Sequence, residues 1–242
     1  MSKPAKIGIV VPHAEDRVPP EGPIMYPAAT FVPKGVGVRA LTPDGYDPAM
    51  AAILPAAEDL ARRGVEAIVV MGTSLTFYKG SAVHRRLIDD MQRATGLPCS
   101  TMSQAVVDGL KAVGAERIAV ATAYGDEVNG RLRAFLIEEG FDVAAIKGFG
   151  ITEFGGPAGR KSEAEILELG ADVCQAASAL SSEVDALLVS CGGLRTLGIP
   201  APFEAAHGIP VVASTPAGFW AAMRLAGHSG HLAGHGQLLV HA

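Results

Sequence analysis

Short, wholly apolar runs separated by helix-length amphipathic segments, met twice in the same order, constrain this chain more than any other feature. In the first series Lys6–Val11 (KIGIVV), Ala67–Met71 and Leu97–Thr101 read as strands. In the second, Arg117–Thr122, Val143–Phe149, Ala186–Ser190 and Val211–Ala213 do. The intervening spacing predicts helices over Ala49–Arg63, Ala82–Ala94, Ser103–Val113, Glu127–Glu139, Glu163–Leu180 and Ala217–Leu225, several of them stopped by a glycine such as Gly64, Gly114 or Gly140. Runs without polar alternation are buried on both faces, so helices must cover both faces of parallel sheets. The stretch from Pro12 to Pro48, rich in Pro, Gly and Asp, reads as a long loop.

The two series echo each other in detail. Gly96-Leu-Pro98 before a Ser/Thr-rich turn returns as Gly208-Ile-Pro210 before Ala213-Ser-Thr-Pro216. Ahead of these come two turns of one outline, Met71-Gly-Thr-Ser74 and Ser190-Cys-Gly-Gly193, of which only the second carries a thiol. The expected architecture is an α/β fold of two similar halves, related by a pseudo-two-fold, with parallel sheets flanked by helices. Residues 1–114, with 214–242 returning to them, would form one half and 115–213 the other. Ligands of open parallel sheets sit beyond the carboxyl ends of the strands. Both turns fall there, which predicts a site in the cleft between the halves.

Charge narrows the partners. The formal net charge of −5, with no basic block, argues against nucleic acid and anionic membrane. No segment approaches membrane-spanning length and the first residues lack a signal-peptide core, so a cytoplasmic location is expected. Three cysteines is an odd number, which fits a reduced protein without disulfides. No two have a zinc-ligand spacing, so no metal is expected.

Cys191 stands out because Gly192 and Gly193 leave backbone amides open beside it. The positive end of a following helix is expected to favour its thiolate. Cys174, mid-helix, and Cys99, on a short strand, read as packing residues. Gly72, Thr73 and Ser74 offer two hydroxyls and free amides to an anion, although Ser and Thr at such places are also ordinary helix caps. Tyr124 ends another strand with a phenol able to donate to an oxyanion. His13 follows the first strand beside Pro12; it is either a cleft residue or a solvent-facing histidine. His228, His231 and His235 lie in a Gly-rich tail that reads as mobile and not as a metal site. Gly35-Val-Gly37 is too short for a dinucleotide fingerprint. Gly155–Gly159 reads as a flexible loop.

Taken together, MGTSLTFYKG (71–80), GLPCSTMSQAV (96–106), ATAYGDEVN (121–129), SCGGL (190–194) and STPAGFWAAMRLAG (214–227) resemble the arylmalonate decarboxylase family. That family sits within the aspartate/glutamate racemase superfamily, alongside maleate isomerase, and IGIVVP and TPDGYD extend the match. Racemases of the superfamily carry cysteine at both turns, whereas the decarboxylase-like branch keeps only the second, as Gly72 and Cys191 do here. The resemblance implies cofactor-independent decarboxylation of aryl or alkenyl malonates. Thr73, Ser74 and Tyr124, with amides near Ser74, Cys191 and Gly192, would hold the retained carboxylate of a small dicarboxylate substrate. Cys191 would protonate the enediolate; Pro12, Val38 and Leu41 match pocket positions, and Tyr46, in the matching TPDGYD segment, is counted with them as substrate-binding. His13 replaces a second proline of the family, and 154–160 (FGGPAGR) is less apolar than its counterpart. Two other readings remain open: a racemase- or maleate isomerase-like enzyme with a non-cysteine second base such as His13, and a non-catalytic dicarboxylate-binding protein. Oligomeric state is left open by the sequence.

Overall fold

The computed structural model describes residues 4–179 and 183–240. Strands β1 (Lys6–Val11), β2 (Thr30–Gly35), β3 (Ala67–Val70) and β4 (Cys99–Thr101) pair in the order β2-β1-β3-β4, all parallel. Strands β5 (Arg117–Tyr124), β6 (Asp142–Ile151), β7 (Ala186–Ser190) and β8 (Val211–Ala213) repeat that order as β6-β5-β7-β8, again all parallel. The inner strands β3 and β7 are buried at every position, as their unbroken apolar runs require.

In the first half the helices are α1 (Glu21–Met25), α2 (Pro43–Arg62), α3 (Thr73–Phe77), α4 (Ser81–Thr95) and α5 (Met102–Ala112). After β5 come α6 (Asp126–Glu138), α7 (Gly156–Gly159), α8 (Glu163–Ser178), α9 (Pro200–His207) and α10 (Ser214–Leu225). The echoed tripeptides occupy equivalent places. Gly96 (φ 66°) ends α4 before β4, and Gly208 (φ 73°) ends α9 before β8, both in the left-handed conformation that glycine alone adopts without strain. Helix α10 follows β8 yet packs on α1, α5, β3 and β4, so the two sheets share their inner helices. No helix among the described residues is long and apolar enough to cross a membrane.

The expected long loop is the largest departure. It contains α1 and all of β2, and α2 begins at Pro43. Strand β2 lies at the edge of its sheet, where Pro33 can sit without removing a central ladder bond. Pro48 and Pro55 lie inside α2, both solvent-exposed and seven residues apart, hence on one face. Water can satisfy the carbonyls they leave free, so the helix survives two residues that normally stop one. Helices α7 and α9 stand where no helix was expected. The predicted end of α8 at Leu180 lies outside the described residues.

The histidine tail is docked, contrary to its expected mobility. Leu238 and Leu239 are buried in a 3-10 turn, the Tyr26 hydroxyl donates to the Gly230 carbonyl at 2.6 Å, and the Gln237 amide donates to the Glu204 carboxylate at 2.9 Å. Two leucines near the end of a polar tail are enough to anchor it against the core. Among the described residues no group of three or more His, Cys, Asp or Glu is placed to hold a metal ion.

Candidate active site

The β3–α3 turn and the turn after β7 adjoin. A side chain built on Gly192 would place its first carbon 3.7 Å from the Met71 carbonyl oxygen, the residue just before Gly72. Gly72 is extended (φ −152°), a conformation open to any residue, and Thr73 and Ser74 behind it are buried.

Cys191 is 8% exposed, and the Gly193 amide donates to its sulfur at 3.3 Å. Burial pushes the thiol pKa up; the Gly193 amide, the Tyr124 hydroxyl and the Leu194 amide offset part of that rise. The sequence suggested the reverse, a thiolate favoured by a helix terminus. No helix follows directly, because α9 begins only at Pro200 and turns fill the interval. Desolvation therefore outweighs the amides, and the sulfur is held as a thiol. The three cysteines are free; Cys99 is buried as expected, whereas Cys174 is only half-buried.

Tyr124 reaches the first half from the end of β5, its hydroxyl 2.9 Å from Thr73 Oγ1. Its backbone is fastened twice: its amide donates to Thr122 Oγ1 at 3.1 Å, and Asn129 Nδ2 donates to its carbonyl at 3.3 Å. Gly148 on β6 makes that approach possible, since any side chain there would strike the Tyr124 carbonyl. Burial, and then the neighbouring Cys191 sulfur, hold the phenol pKa well above its ordinary value, so it remains a donor.

Tyr46 arrives from α2, buried, its ring 4.8 Å from that of Tyr78. Its hydroxyl has no hydrogen-bond partner among the described residues. Ser74 lies close enough to offset part of the rise that burial causes in the Tyr46 pKa, without the geometry of a full hydrogen bond. A buried, unpartnered phenol beside Ser74 and Cys191 is what a ligand oxygen would satisfy.

The remaining positions are tied by backbone hydrogen bonds. The Val38 amide donates to the Pro12 carbonyl at 2.8 Å, and the Leu41 amide donates to the Thr152 carbonyl at 3.2 Å. Val38 and Leu41 are buried, and Ala40 bridges antiparallel to Glu153. The segment after β6 is thus tied to the first half. Its Phe154 ring lies 5.8 Å from that of His13, and Ala158 lies 3.1 Å from where a side chain on Gly193 would begin. His13 is half-buried; burial, then the Arg17 charge, lower its pKa, while Glu15 raises it in part.

Sequence reasoning missed the supports: Thr76, Ser103, Thr122, Asn129 and Gly148. Ser103 lies within a motif that the resemblance rests on, but no spacing rule joins it to Thr73. A cavity of about 850 Å³ opens elsewhere, beside Asp108, Lys111, Trp220, Arg224 and His228. Its walls mix charges of both signs and include none of the residues around Cys191 described above.

A family model described as arylmalonate decarboxylase matches residues 7–239. The arylmalonate decarboxylase of Bordetella bronchiseptica is 44% identical over 221 residues, covering 91% of this chain and 90% of that protein. A liganded double variant of arylmalonate decarboxylase, glycine to cysteine and cysteine to serine, superposes with a TM-score of 0.92 at 42% identity, over 97% of this chain and 98% of that one. Maleate isomerase of Pseudomonas putida, 20% identical, shares the fold with a TM-score of 0.90 over 99% of both chains. On the strength of a family model spanning nearly every residue, the chain belongs to the arylmalonate decarboxylase family, a family of carboxy-lyases.

Proposed function

We propose that this chain decarboxylates α-substituted malonates, aryl or alkenyl, to chiral monocarboxylic acids without a cofactor. One observation carries the reading: a single thiol, held protonated by burial, stands beside a turn whose corresponding residue is glycine. A racemase removes a proton from one face of a carbon and returns one to the other, which takes a base on each side. A decarboxylase makes its carbanion by losing carbon dioxide and takes only one proton donor.

In this reading Thr73, Ser74 and Tyr124, with amides near Ser74, Cys191 and Gly192, hold the retained carboxylate. The other carboxylate faces Pro12, Val38, Leu41 and Tyr46, where desolvation favours neutral carbon dioxide over the anion. The C–C bond breaks, its electron pair becomes the enediolate, and donors already aimed there stabilise it, each worth roughly 10²–10³ in rate. The Cys191 S–H delivers its proton to the α-carbon, and the thiolate regains one from solvent. Placement of the donor on one face makes the product a single enantiomer. We also read residues 1–114 with 214–242 as one half and 115–213 as the other, supported by the packing of α10 on the first sheet.

The test is a panel of substituted malonates assayed for carbon dioxide release; no release from any aryl or alkenyl malonate would sink the reading. His13 favours a second one, because its lowered pKa leaves it neutral beside Pro12, as a second base requires. Incubating a 2-arylpropionate in deuterated buffer distinguishes them: racemisation with α-deuteration would mark an isomerase.

A further inference from the structure

We propose that Ser103, seconded by Thr76, is a positioning residue that aims the Ser74 amide at the substrate carboxylate. The inference rests on the decarboxylase reading above. It starts from four hydroxyl contacts, all buried. Ser103 Oγ donates to the Thr73 carbonyl at 2.9 Å. Thr76 Oγ1 lies 2.7 Å from Ser103 Oγ, 2.9 Å from the Gly72 carbonyl and 3.1 Å from the Thr73 carbonyl.

Each hydroxyl has one proton to give. Three arrangements are open: Thr76 donates to Ser103 and Ser103 to Thr73, each donates to a carbonyl, or Ser103 donates to Thr76 and Thr76 to a carbonyl. The 2.9 Å approach of Ser103 Oγ to the Thr73 carbonyl suits the first two, in which that carbonyl receives the Ser103 proton. Among the described residues no peptide bond is cis, and across a trans peptide the C=O and N–H point in opposite directions. Fixing the Thr73 carbonyl toward α5 therefore turns the Ser74 N–H away from α5. Where Thr76 donates to the Gly72 carbonyl, it likewise fixes that peptide and the Thr73 N–H on its other side.

Ser103 is itself held. Thr101, which caps α5, accepts the Gln104 amide at 3.0 Å, which sets the first turn of the helix and the place of Ser103 on it. Removing the Ser103 hydroxyl takes from a buried carbonyl its side-chain donor from α5, and the peptide between Thr73 and Ser74, still part of α3 and within reach of Thr76, is then held less firmly. An amide turned away no longer meets the charge that develops as carbon dioxide leaves. Binding of the ground-state dicarboxylate changes little, because the Thr73 and Tyr124 hydroxyls remain.

The experiment measures kcat and KM for Ser103→Ala, Ser103→Thr and Thr76→Val with the best malonate of the panel, alongside Tm. Ser103→Ala is expected to lower kcat by about tenfold to a hundredfold, less than the loss of a whole oxyanion donor, with KM within about threefold. Ser103→Thr, which keeps the hydroxyl, restores most of that loss, and Thr76→Val lowers kcat in the same direction. A merely structural role would shift Tm and leave kcat of the folded fraction alone. The positioning role is overturned if Ser103→Ala and Thr76→Val keep more than half of the kcat of an unaltered chain that does decarboxylate. It is equally overturned if Ser103→Thr, folded, is as slow as Ser103→Ala. Absence of carbon dioxide release by the unaltered chain instead removes the decarboxylase reading, and the positioning role with it.

Discussion

Lowering the pH from 7.5 to 5.0 should destabilise this protein through His84, a buried residue to which no chemical role is assigned. His84 is 0% exposed, and its Nε2 lies 2.7 Å from Thr101 Oγ1. Because Thr101 already accepts the Gln104 amide, its own proton is free to go to His84 Nε2. His84 Nδ1 has no partner among the described residues, and the ring is set edge-on to Phe135. Burial pushes the pKa from its ordinary 6.5 down to about 4; Glu139 opposes the shift and Arg85 adds to it. The folded value is thus below the unfolded one. Between them the unfolded chain binds a proton that the folded chain refuses, so this contribution is complete above pH 6.5 and lost as pH falls. A difference of some 2.5 units corresponds to about 3 kcal/mol, of which about 2 kcal/mol is lost by pH 5.0. Urea unfolding at pH 7.5, 6.5, 5.5 and 5.0 measures it. Carboxylates add their own slope, so the informative quantity is the difference from His84→Gln, which keeps an acceptor for Thr101 but cannot protonate. That variant should lose about 2 kcal/mol less across the same interval. Parallel curves for the two proteins would refute the argument.

Three further outcomes follow from the site. Cys191→Ala should abolish carbon dioxide release while Cys99→Ala keeps it; retention of more than about a tenth of wild-type turnover in the former would end the proton-donor role, since general acid catalysis is worth roughly 10²–10⁴. Because burial raises the Cys191 pKa, the alkaline fall of kcat should be centred above about pH 8.5, the ordinary thiol value. A fall centred below that pH, measured at saturating substrate, would mean the donor is another group. Gly72→Cys combined with Cys191→Ser should decarboxylate slowly and give the opposite enantiomer by chiral chromatography. The new side chain would begin 3.3 Å from Leu75 and 3.8 Å from Pro12 on backbone that is not strained, so it fits with small shifts, and an unchanged enantiomer would be the contrary result.

The sequence by itself determined the repeated α/β architecture, because an apolar run buried on both faces leaves no choice but a covered parallel sheet. It also identified the lone thiol and the residues whose type announces their chemistry. What it misjudged depended on neighbours distant in the chain. Pro33 and the prolines of α2 look like breaks until the fold puts one on a sheet edge and the others on a solvent face. The tail looks mobile until Leu238 and Leu239 find the core. The thiol looks ready to ionise until burial is weighed against three weak donors, and desolvation wins. Ser103 and Thr73 are thirty residues apart, as Tyr124 and Thr73 are fifty-one, and only the packing of α5 and β5 around α3 brings them within 3 Å. Periodicity is a local property, legible along the chain. Which carbonyl a buried hydroxyl will hold is decided by tertiary packing alone.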